Sequence, residues 1–475
     1  MKLSDCEKVF KLSNRVFNQQ AVKKFLGGVS MGVFISISAH VGADQGASGA
    51  LAPSANGLSV LTAYQLARDN DPQLAIAKFR FDGAAAQKDV SRGKMLPQVS
   101  IYGDWSENTV RYESTALGQL PDQDYPGERY GLQLRSSIFN VRAYREYERR
   151  SALLSQSEQE VAIAEAELLS RVVRTYLTFV LVKESVNHVE SELSALDRQL
   201  EEANALYKRS LLPVTQVLET QTRADTLRAD LVSVRGQAAI ARERLAQLIG
   251  IKDLSLRSIA DSITLLNEVS DADQAAALAI EFDPGFAAAR EGLSAARKGV
   301  EREKGSWWPE VDFVYNSQYS DVGFDNLTSP PRSTESYSIS MRYPLFEGGA
   351  GSARLRGAWA EFYSAQQELE AVRREAGGRA RAAWLNLETS TERVEAARQA
   401  ALTAETSVDA SRKAVRAGTA RVTDVMLALA QNTRAQRDLS EARFQRAMAW
   451  LELELATGSD PLVLAPKLSK ALHGL

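Results

Sequence analysis

The sequence has very few residues of the kinds that hold disulfides, metals or nucleic acids. One cysteine, Cys6, occurs among 475 residues, which excludes a disulfide framework and a cysteine-based zinc site. The three histidines, His40, His188 and His473, are scattered and form no metal-binding motif. A formal charge of −3 gives no basic surface for nucleic acid. No Ser/His/Asp or Cys/His set stands out, so we predict neither an enzyme nor a bound cofactor.

Long apolar runs are also missing, except near the amino terminus. Two lysines precede the run FLGGVSMGVFISISA, and Val41 and Ala43 occupy the small-residue positions of a cleavage site. We therefore predict a signal peptide over residues 1–43. The alternative is a membrane anchor, but the run contains Gly and Ser and is shorter than the ~20 residues of a spanning helix. Cleavage would remove Cys6 and leave no cysteine that could accept a lipid.

Helix breakers are scarce over a long central stretch. No glycine lies between Gly131 and Gly236, and the only proline between them is Pro213. This composition predicts long helices. Apolar residues follow a 3-4 heptad spacing in the first half, and smaller residues occupy the same register in the second, which predicts coiled-coil faces. These residues are Val186, Val189, Leu193, Leu196, Leu200, Ala203 and Tyr207, and then Val394, Ala397, Ala401, Ala404, Val408, Ser411 and Val415.

One module is repeated along the chain. Pro72 and Pro97 match Pro284 and Pro309, and ERYGLQLRSSIF resembles ESYSISMRYPLF farther on. A later block pairs residues at a constant offset of 208, such as Gly250 with Gly458. We predict a mature amino-terminal segment (44–57), a first repeat (58–250), a linker (251–270), a second repeat (271–458) and a carboxyl-terminal segment (459–475).

The segment lengths predict a tall helical barrel. A helix from about Asn140 to Arg209 would span ~100 Å, and helices over 58–92 and 214–249 would span ~50 Å each. Two short helices could therefore stack beside one long helix. The second half repeats these lengths at 350–417, 271–304 and 422–457. The linker and the carboxyl-terminal segment would form a belt at mid-height.

Four short segments alternate apolar and polar residues, as strands with two different faces do. Lipid outside and water inside would explain both faces, and the lengths are near the ~9–11 residues of a membrane strand. The alternative is a pair of soluble hairpins. Because single-chain barrels start at about eight strands, four membrane strands would require several chains. The segments are Val99–Trp105, Tyr130–Phe139, Val311–Tyr319 and Tyr337–Phe346.

Together these features resemble the TolC-like outer-membrane channels of efflux and type I secretion. The resemblance runs from about Leu58 to Gly458 and includes the doubled module, the Asp-Pro helix starts, RYPLFEGG and AGTARVTDVM. It implies a mixed α/β membrane protein in which a coiled-coil α-helical barrel joins a transmembrane antiparallel β-barrel. The β-barrel would have 12 strands, four from each chain of a homotrimer. The stretch AGTARVTDVM and the absence of a cysteine for lipid attachment make the chain most similar to the type I secretion branch of this family, in particular to the component that exports a cyclolysin-type toxin.

The resemblance also implies roles for individual residues. Asp424 matches an aspartate that rings the periplasmic entrance, where three carboxylates would make conduction cation-selective and pH-sensitive. Without the resemblance, Asp424 would be interpreted as a solvated charge on a turn. The strand–helix junctions are Pro97, Pro309, Pro344, Gly348 and Gly349, and the helical hairpin turns contain Pro213 and Gly418.

A latch at this entrance is incomplete in the sequence. Asp225 matches the acidic latch residue of relatives, but Ala224 replaces its tyrosine and Ala420 stands where relatives have the latch arginine. Arg421, one position farther, is the candidate substitute. Leu427 replaces a second aspartate. We therefore predict a looser resting entrance than in relatives.

The implied function is an exit duct in the outer membrane of a Gram-negative bacterium, with a large periplasmic part. Its partners would be two further chains, outer-membrane lipid, a periplasmic adaptor (membrane fusion protein) and an inner-membrane transporter of the ABC type. The cargo would be protein or small molecules. The alternative is a periplasmic or secreted coiled-coil structural protein with soluble hairpins.

Overall fold

The computed structural model describes residues 57–111, 123–210, 212–251, 265, 269–322 and 330–473. The predicted signal peptide lies outside these ranges, as do nearly all of the predicted amino-terminal segment and most of the predicted linker. Every element described below belongs to one compact unit, Pro53–Leu475.

The elements occur twice in the same order: a short helix, a second helix, two strands, a long helix and a shorter one. The first set is α1 (Val60–Asn70), α2 (Pro72–Gly93), β1 (Gln98–Val110), β2 (Gln123–Phe139), α3 (Val141–Lys208) and α4 (Val214–Ile249). The second set is α5 (Ala272–Phe282), α6 (Pro284–Gly305), β3 (Glu310–Val322), β4 (Arg332–Arg342), α7 (Ala350–Arg416) and α8 (Val422–Ala456), followed by α9 (Pro461–His473).

The two long helices agree with the predicted lengths. α3 has 68 residues and α7 has 67, so each is ~100 Å long. α3 begins after Asn140, whose side chain accepts a hydrogen bond from the Ala143 N–H at 2.8 Å. This cap satisfies one of the free N–H groups of the first turn. Among the described helices, none combines the length and hydrophobicity needed to cross a membrane.

The helices predicted as continuous over 58–92 and 271–304 are each two helices, so that prediction is wrong. The chain leaves the helical conformation at Asp71, with φ −74° and ψ 119°, because the following proline excludes the α region for the residue before it. The Asp71 carboxylate accepts the Leu74 N–H at 2.9 Å and so begins the next helix. Asp283 has the same role before α6.

Each break is fixed to the neighbouring long helix by an arginine. Arg171 of α3 donates to Asp71 with 2.7 Å between Nη2 and Oδ2, and Arg379 of α7 donates to Asp283 at 3.0 Å. Both aspartates are buried. The two arginines are 208 residues apart, so the offset seen in the sequence corresponds to one structural contact made twice.

The four strands form one antiparallel sheet in the order β1-β2-β3-β4. Ile101 pairs with Leu132, Leu134 with Tyr315, and Tyr315 with Tyr337. Side chains alternate between the faces of a sheet, so this register places the apolar residues on one face.

The strand boundaries differ from the predicted ones. β1 extends to Val110 and β2 starts at Gln123, because their hydrogen-bonded ladder continues beyond the apolar alternation. The fourth strand was predicted over 337–346, but β4 begins at Arg332 and ends at Arg342. Pro344 follows two residues later and has no N–H to donate to a ladder.

The main apolar core lies where α1, α3, α8 and α9 meet. Tyr64, Tyr176, Leu451 and Leu464 are almost completely buried there. The Tyr176 hydroxyl donates to the Leu58 carbonyl at 2.9 Å, which ties the start of the described chain to α3. The predicted carboxyl-terminal segment (459–475) therefore contains a helix that is part of the core.

Candidate functional site

Two helical hairpins, α3–α4 and α7–α8, turn at their ends far from the sheet. In the second, Gly418 has φ +71°. Its N–H donates to the Val415 carbonyl, and the Thr419 N–H donates to the Ala414 carbonyl, both at 3.0 Å. This is the Schellman end of a helix, which favours glycine because its central residue is left-handed.

The first hairpin makes a similar turn without glycine. Ser210 lies 208 residues before Gly418, has φ +61°, and donates its N–H to the Tyr207 carbonyl at 2.8 Å. An L-residue in this conformation costs about 1–2 kcal/mol. Pro213, with φ −65°, directly precedes α4. The two predicted turn residues, Pro213 and Gly418, thus lie at the two hairpin turns.

Asp424 is an exposed carboxylate in the first turn of α8. Its Oδ2 accepts the Arg421 backbone N–H at 2.9 Å, and its own N–H donates to the Arg421 carbonyl at 3.1 Å. The positive end of the helix dipole also favours a negative charge here. The cap fixes Asp424 beside the turn.

Asp225, the predicted partner in the latch, makes its contacts within α4. It accepts hydrogen bonds from Gln221 Nε2 at 3.0 Å and from Arg228 Nη1 at 2.5 Å. The bond from Gln221, followed by that from Arg228, lowers the pKa of the Asp225 carboxyl below its ordinary value. Among the ion pairs of the described residues, none joins Asp225 to Arg421. A single chain does not bring the two predicted latch residues together.

Two ion pairs near the first hairpin turn were not predicted from the sequence. Arg228 Nη2 donates to Asp197 Oδ1 at 2.6 Å, and Arg223 Nη2 donates to the buried Glu192 Oε1 at 3.1 Å. Both pairs join α3 to α4. The turn at Pro213 implies that these helices run side by side, but a charge pattern alone does not show which residues face each other.

Apolar side chains join the two hairpins near their turns. Met426 of α8 packs on a cluster from α3 and α4 that consists of Val189, Leu196, Leu227 and Leu231. In return, Ala195 of α3 packs on a cluster from α7 and α8. A movement of α8 at the turn therefore has to disturb contacts with the first hairpin.

The predicted junction residues lie where strands and helices meet. Pro97 and Pro309 directly precede β1 and β3, and Pro344 follows β4. Gly348 and Gly349 have φ +61° and +84° just before α7. No atom lies within 4 Å of a Cβ added at either glycine, so the backbone conformation, and not close packing, requires glycine.

A charge cluster joins α3 to α6 just below the sheet. Glu146 accepts hydrogen bonds from Arg149 Nε at 3.0 Å, Arg150 Nε at 2.7 Å and Arg302 Nη1 at 3.0 Å. Arg302 belongs to α6, and the other three residues belong to α3. In the described ranges, no His, Cys, Asp and Glu side chains form a group that could hold a metal ion.

The two faces of the sheet differ strongly. Exposed Ile101, Ile339 and Met341 are on the apolar face. On the other face the Tyr102 hydroxyl lies 3.0 Å from both Asn316 Oδ1 and Gln318 Oε1. This arrangement fits an apolar medium on one side and water on the other.

Among the described residues, no strand pairs with the outer edges of the sheet. β1 and β4 are the end strands, and all residues of β4 are exposed. An open strand edge is a ready site for pairing with another strand.

Comparison with known proteins gives consistent matches. The sequence profile of a family described as "Outer membrane efflux protein" matches residues 63–251 and 275–459. "Proteases secretion protein PrtF" of Dickeya chrysanthemi is 25% identical over 415 residues, 86% of this chain and 89% of the relative. "Alkaline protease secretion protein AprF" of Pseudomonas aeruginosa is 25% identical over 414 residues, 84% of each chain. The crystal structure of a membrane protein from Pseudomonas aeruginosa has the same fold, with a TM-score of 0.74, 17% identity, and coverage of 84% of this chain and 93% of that one.

Proposed function

Because this chain belongs to the outer membrane efflux protein family, we propose that it is the exit duct of a tripartite export system that secretes protein. The chain is an outer-membrane protein of Gram-negative bacteria with a large periplasmic part. This location decides against the alternative of a periplasmic or secreted structural protein. The family consists of channels, which agrees with the expectation that the chain is not an enzyme.

The observation on which the duct depends is the open four-stranded sheet. Four strands cannot close a barrel, and an apolar face with unpaired edges is unstable in water. Three chains close it when β1 of one protomer pairs with β4 of the next, which gives 12 strands. The helices of three chains then continue the duct into the periplasm.

The polar face of the sheet forms the inner wall of this duct. Tyr102, Asn316 and Gln318 line it, together with Arg135, which donates to Asp312 with 2.5 Å between Nη2 and Oδ2. These groups bind water, while the apolar face contacts lipid.

The periplasmic entrance lies at the hairpin turns, with Asp424 as its constriction. Three Asp424 carboxylates around a threefold axis attract cations and repel one another. Support comes from the cap that fixes Asp424 beside the turn. Asp225 and Arg421 do not pair within one chain, which supports the expectation of a loosely latched resting entrance. A fully closed baseline conductance would contradict this expectation.

The cargo is protein and the partners are those of type I secretion. Two relatives that match most of the chain are named as protease secretion proteins. A periplasmic adaptor and an inner-membrane ABC transporter would open the entrance and drive transport. Removing the chain from its host should then retain one or more secreted proteins in the cell. An unchanged set of secreted proteins, with new sensitivity to small toxic compounds, would indicate small-molecule efflux instead.

Single-channel conductance tests the duct directly. The detergent-extracted protein is added to a planar lipid bilayer, and ion selectivity is measured in a salt gradient. We expect discrete, long-lived, cation-selective steps. A particle with the mass of a single chain, together with a silent bilayer, would refute the trimeric duct.

A further inference from the structure

Two helices beside the open edges of the sheet have an exposed side in the single chain. α2 leads into β1, and α7 follows β4. Within the chain α2 packs on α3, and α7 packs on α6. The opposite side of α2 lies on the same border of the chain as the outer edge of β1. The opposite side of α7 lies on the same border as the outer edge of β4.

The exposed side of α2 has an apolar stripe at coiled-coil spacing. Phe79 is 72% exposed and Val90 is 53% exposed. Large apolar side chains repeated at this spacing are normally covered by another helix. The stripe consists of Ile76, Phe79, Gly83, Ala86, Val90 and Gly93, with alternating steps of three and four residues.

The exposed side of α7 has a stripe with the same spacing, in which every residue except Gln367 is small. All of its members are exposed in the single chain. Small side chains leave room for large side chains of a facing helix. The stripe consists of Ala350, Ala353, Gly357, Ala360, Ser364 and Gln367.

The internal repeat shows how such a pair of helices packs. α6 is the counterpart of α2, because Pro284 repeats Pro72, and α3 is the counterpart of α7 at the offset of 208. Within the chain, α3 and α6 pack closely. A Cβ added at Gly305 would lie 3.1 Å from the backbone N of Arg142. The helix pair α2 and α7 lacks this contact within the chain, because α2 and α7 come from opposite borders.

The observed register carries over to α2 and α7 without adjustment. Gly305 corresponds to Gly93, and Arg142 corresponds to Ala350. With Gly93 opposite Ala350 in an antiparallel pair, every member of one stripe falls opposite a member of the other. The pairs are Val90 with Ala353, Ala86 with Gly357, Gly83 with Ala360, Phe79 with Ser364, and Ile76 with Gln367.

We propose that α2 of one chain packs against α7 of the next chain in this register, with Phe79 seated at Ser364. The inference rests on the proposed trimer and specifies the helical contact that holds it together. A head-to-tail contact of this kind closes a ring. It continues directly from the β1–β4 edge pairing, so a second copy of the chain is the partner that covers both borders.

This contact between chains differs in chemistry from its counterpart within the chain. α3 and α6 are joined by the ion pair of Glu146 and Arg302, with 3.0 Å between Oε2 and Nη1. The corresponding positions in α7 and α2 are Arg354 and Val90, which cannot form an ion pair. The contact between chains therefore depends on close packing of uncharged side chains, with Phe79 opposite Ser364 and Val90 opposite Ala353 as the pairs of a large and a small residue.

Cysteine cross-linking tests the register. In a Cys6→Ser background, Phe79→Cys is combined with Ser364→Cys, or with Gly357→Cys or Ala371→Cys as controls. Each control position is seven residues from Ser364 on the same helix face, about 10 Å away, which exceeds the ~7 Å Cα separation that a disulfide allows. We expect disulfide-linked dimers and trimers for the 79/364 pair and none for the controls.

The particle mass in detergent separates the possible failures. A trimer that cross-links through a control pair, or through no pair, overturns the register and leaves the proposed duct in place. A single chain by mass overturns both.

A second variant tests the fit without cysteine. Ser364→Phe fills the space opposite Phe79 and should lower the trimer fraction about tenfold. Gln366→Phe is the matched control, because its counterpart Glu158 is exposed beside the α3–α6 contact. Equal trimer fractions for the two variants would overturn the inference.

Discussion

Glu146→Gln is expected to weaken the contact between α3 and α6. The carboxylate accepts hydrogen bonds from Arg149 and Arg150 on its own helix and from Arg302 on the facing helix. Glutamine keeps the size of the side chain but removes its charge. Arg149, Arg150 and Arg302 then lose this counter-charge, although Arg302 keeps its ion pair with Glu303. The hydrogen bonds to the neutral amide are also weaker.

The magnitude follows from the pKa of Glu146. Burial raises this pKa, but hydrogen bonds from Arg149, Arg302 and Arg150 outweigh burial and lower it from 4.5 to about 2. At about 1.4 kcal/mol per pKa unit, this corresponds to roughly 3 kcal/mol. The side chain is 18% exposed, and screening by solvent reduces the expected loss to about 1–2 kcal/mol.

The lowered pKa of Glu146 also determines how its contribution to stability changes with pH. The folded protein holds the proton of Glu146 less tightly than the unfolded chain does. The stabilisation is therefore fully present above about pH 4.5 and is lost as the pH falls toward 2. The difference in stability between wild type and variant should be constant at neutral pH and should shrink below pH 4.5.

Thermal unfolding of the detergent-solubilised protein, followed by circular dichroism, measures this effect. Glu158→Gln is the matched control, since Glu158 is exposed on the same helix, and it should unfold at the wild-type temperature. The reasoning is refuted if Glu146→Gln also unfolds at the wild-type temperature at pH 7. It is equally refuted if the difference at pH 7 persists unchanged near pH 2.

Three further substitutions, one of them with a control substitution, probe the turns and the entrance. Ser210→Gly should raise the unfolding temperature, with a gain of about 0.5–1 kcal/mol. Glycine adopts the left-handed conformation of this position without the strain that the serine side chain causes. Gly458→Ala should destabilise by more than about 2 kcal/mol, because its Cβ would lie 2.4 Å from the Phe282 carbonyl oxygen and its φ is +83°. Gly236→Ala, in an open part of α4, should instead be neutral or stabilising. Asp424→Ala should reduce cation selectivity in bilayer recordings while channels still form.

Each of these expectations has a clear opposite result. A lower unfolding temperature for Ser210→Gly would mean that the serine side chain makes a contact worth more than the strain. Equal stability of the Gly458 and Gly236 variants would contradict the close approach to Phe282. Unchanged selectivity in Asp424→Ala would remove Asp424 from the constriction.

The sequence predicted the helices best where breakers are absent or strong caps are present. The bounds of α3, from the cap at Asn140 to the turn before Pro213, follow from local preferences of the backbone. The Asp-Pro pairs at Asp71 and Asp283 also signal a helix start, but lengths alone suggested continuous helices, and this was wrong. The family resemblance, based on the repeated module and its motifs, is confirmed by the family profile.

The heptad prediction gave the correct spacing of the apolar residues, but not all of these residues are buried. Val189, Leu196 and Ala203, seven residues apart, are buried, whereas Tyr207 on the same predicted face is exposed. Period follows from the geometry of the helix. Burial depends on which neighbour reaches each turn of it, and a one-dimensional pattern does not contain that information.

In the candidate site, too, some features follow from the local sequence and others do not. The turn at Gly418 and the exposed position of Asp424 in the first turn of α8 follow from short-range hydrogen bonds within a few residues. The pairing of Asp225 with Gln221 and Arg228, and not with Arg421, depends on side-chain positions that charge alone leaves open.

By itself, the sequence determined the doubled module, the long helices and the alternation of the strands, because each depends on contacts between residues close in the chain. Only the tertiary structure decided that β2 pairs with β3, that Arg135 meets Asp312, and that α3 packs against α6 in a register set by Gly305. These contacts join segments far apart in the chain. Their register depends on the fit of whole surfaces, which only the folded arrangement specifies.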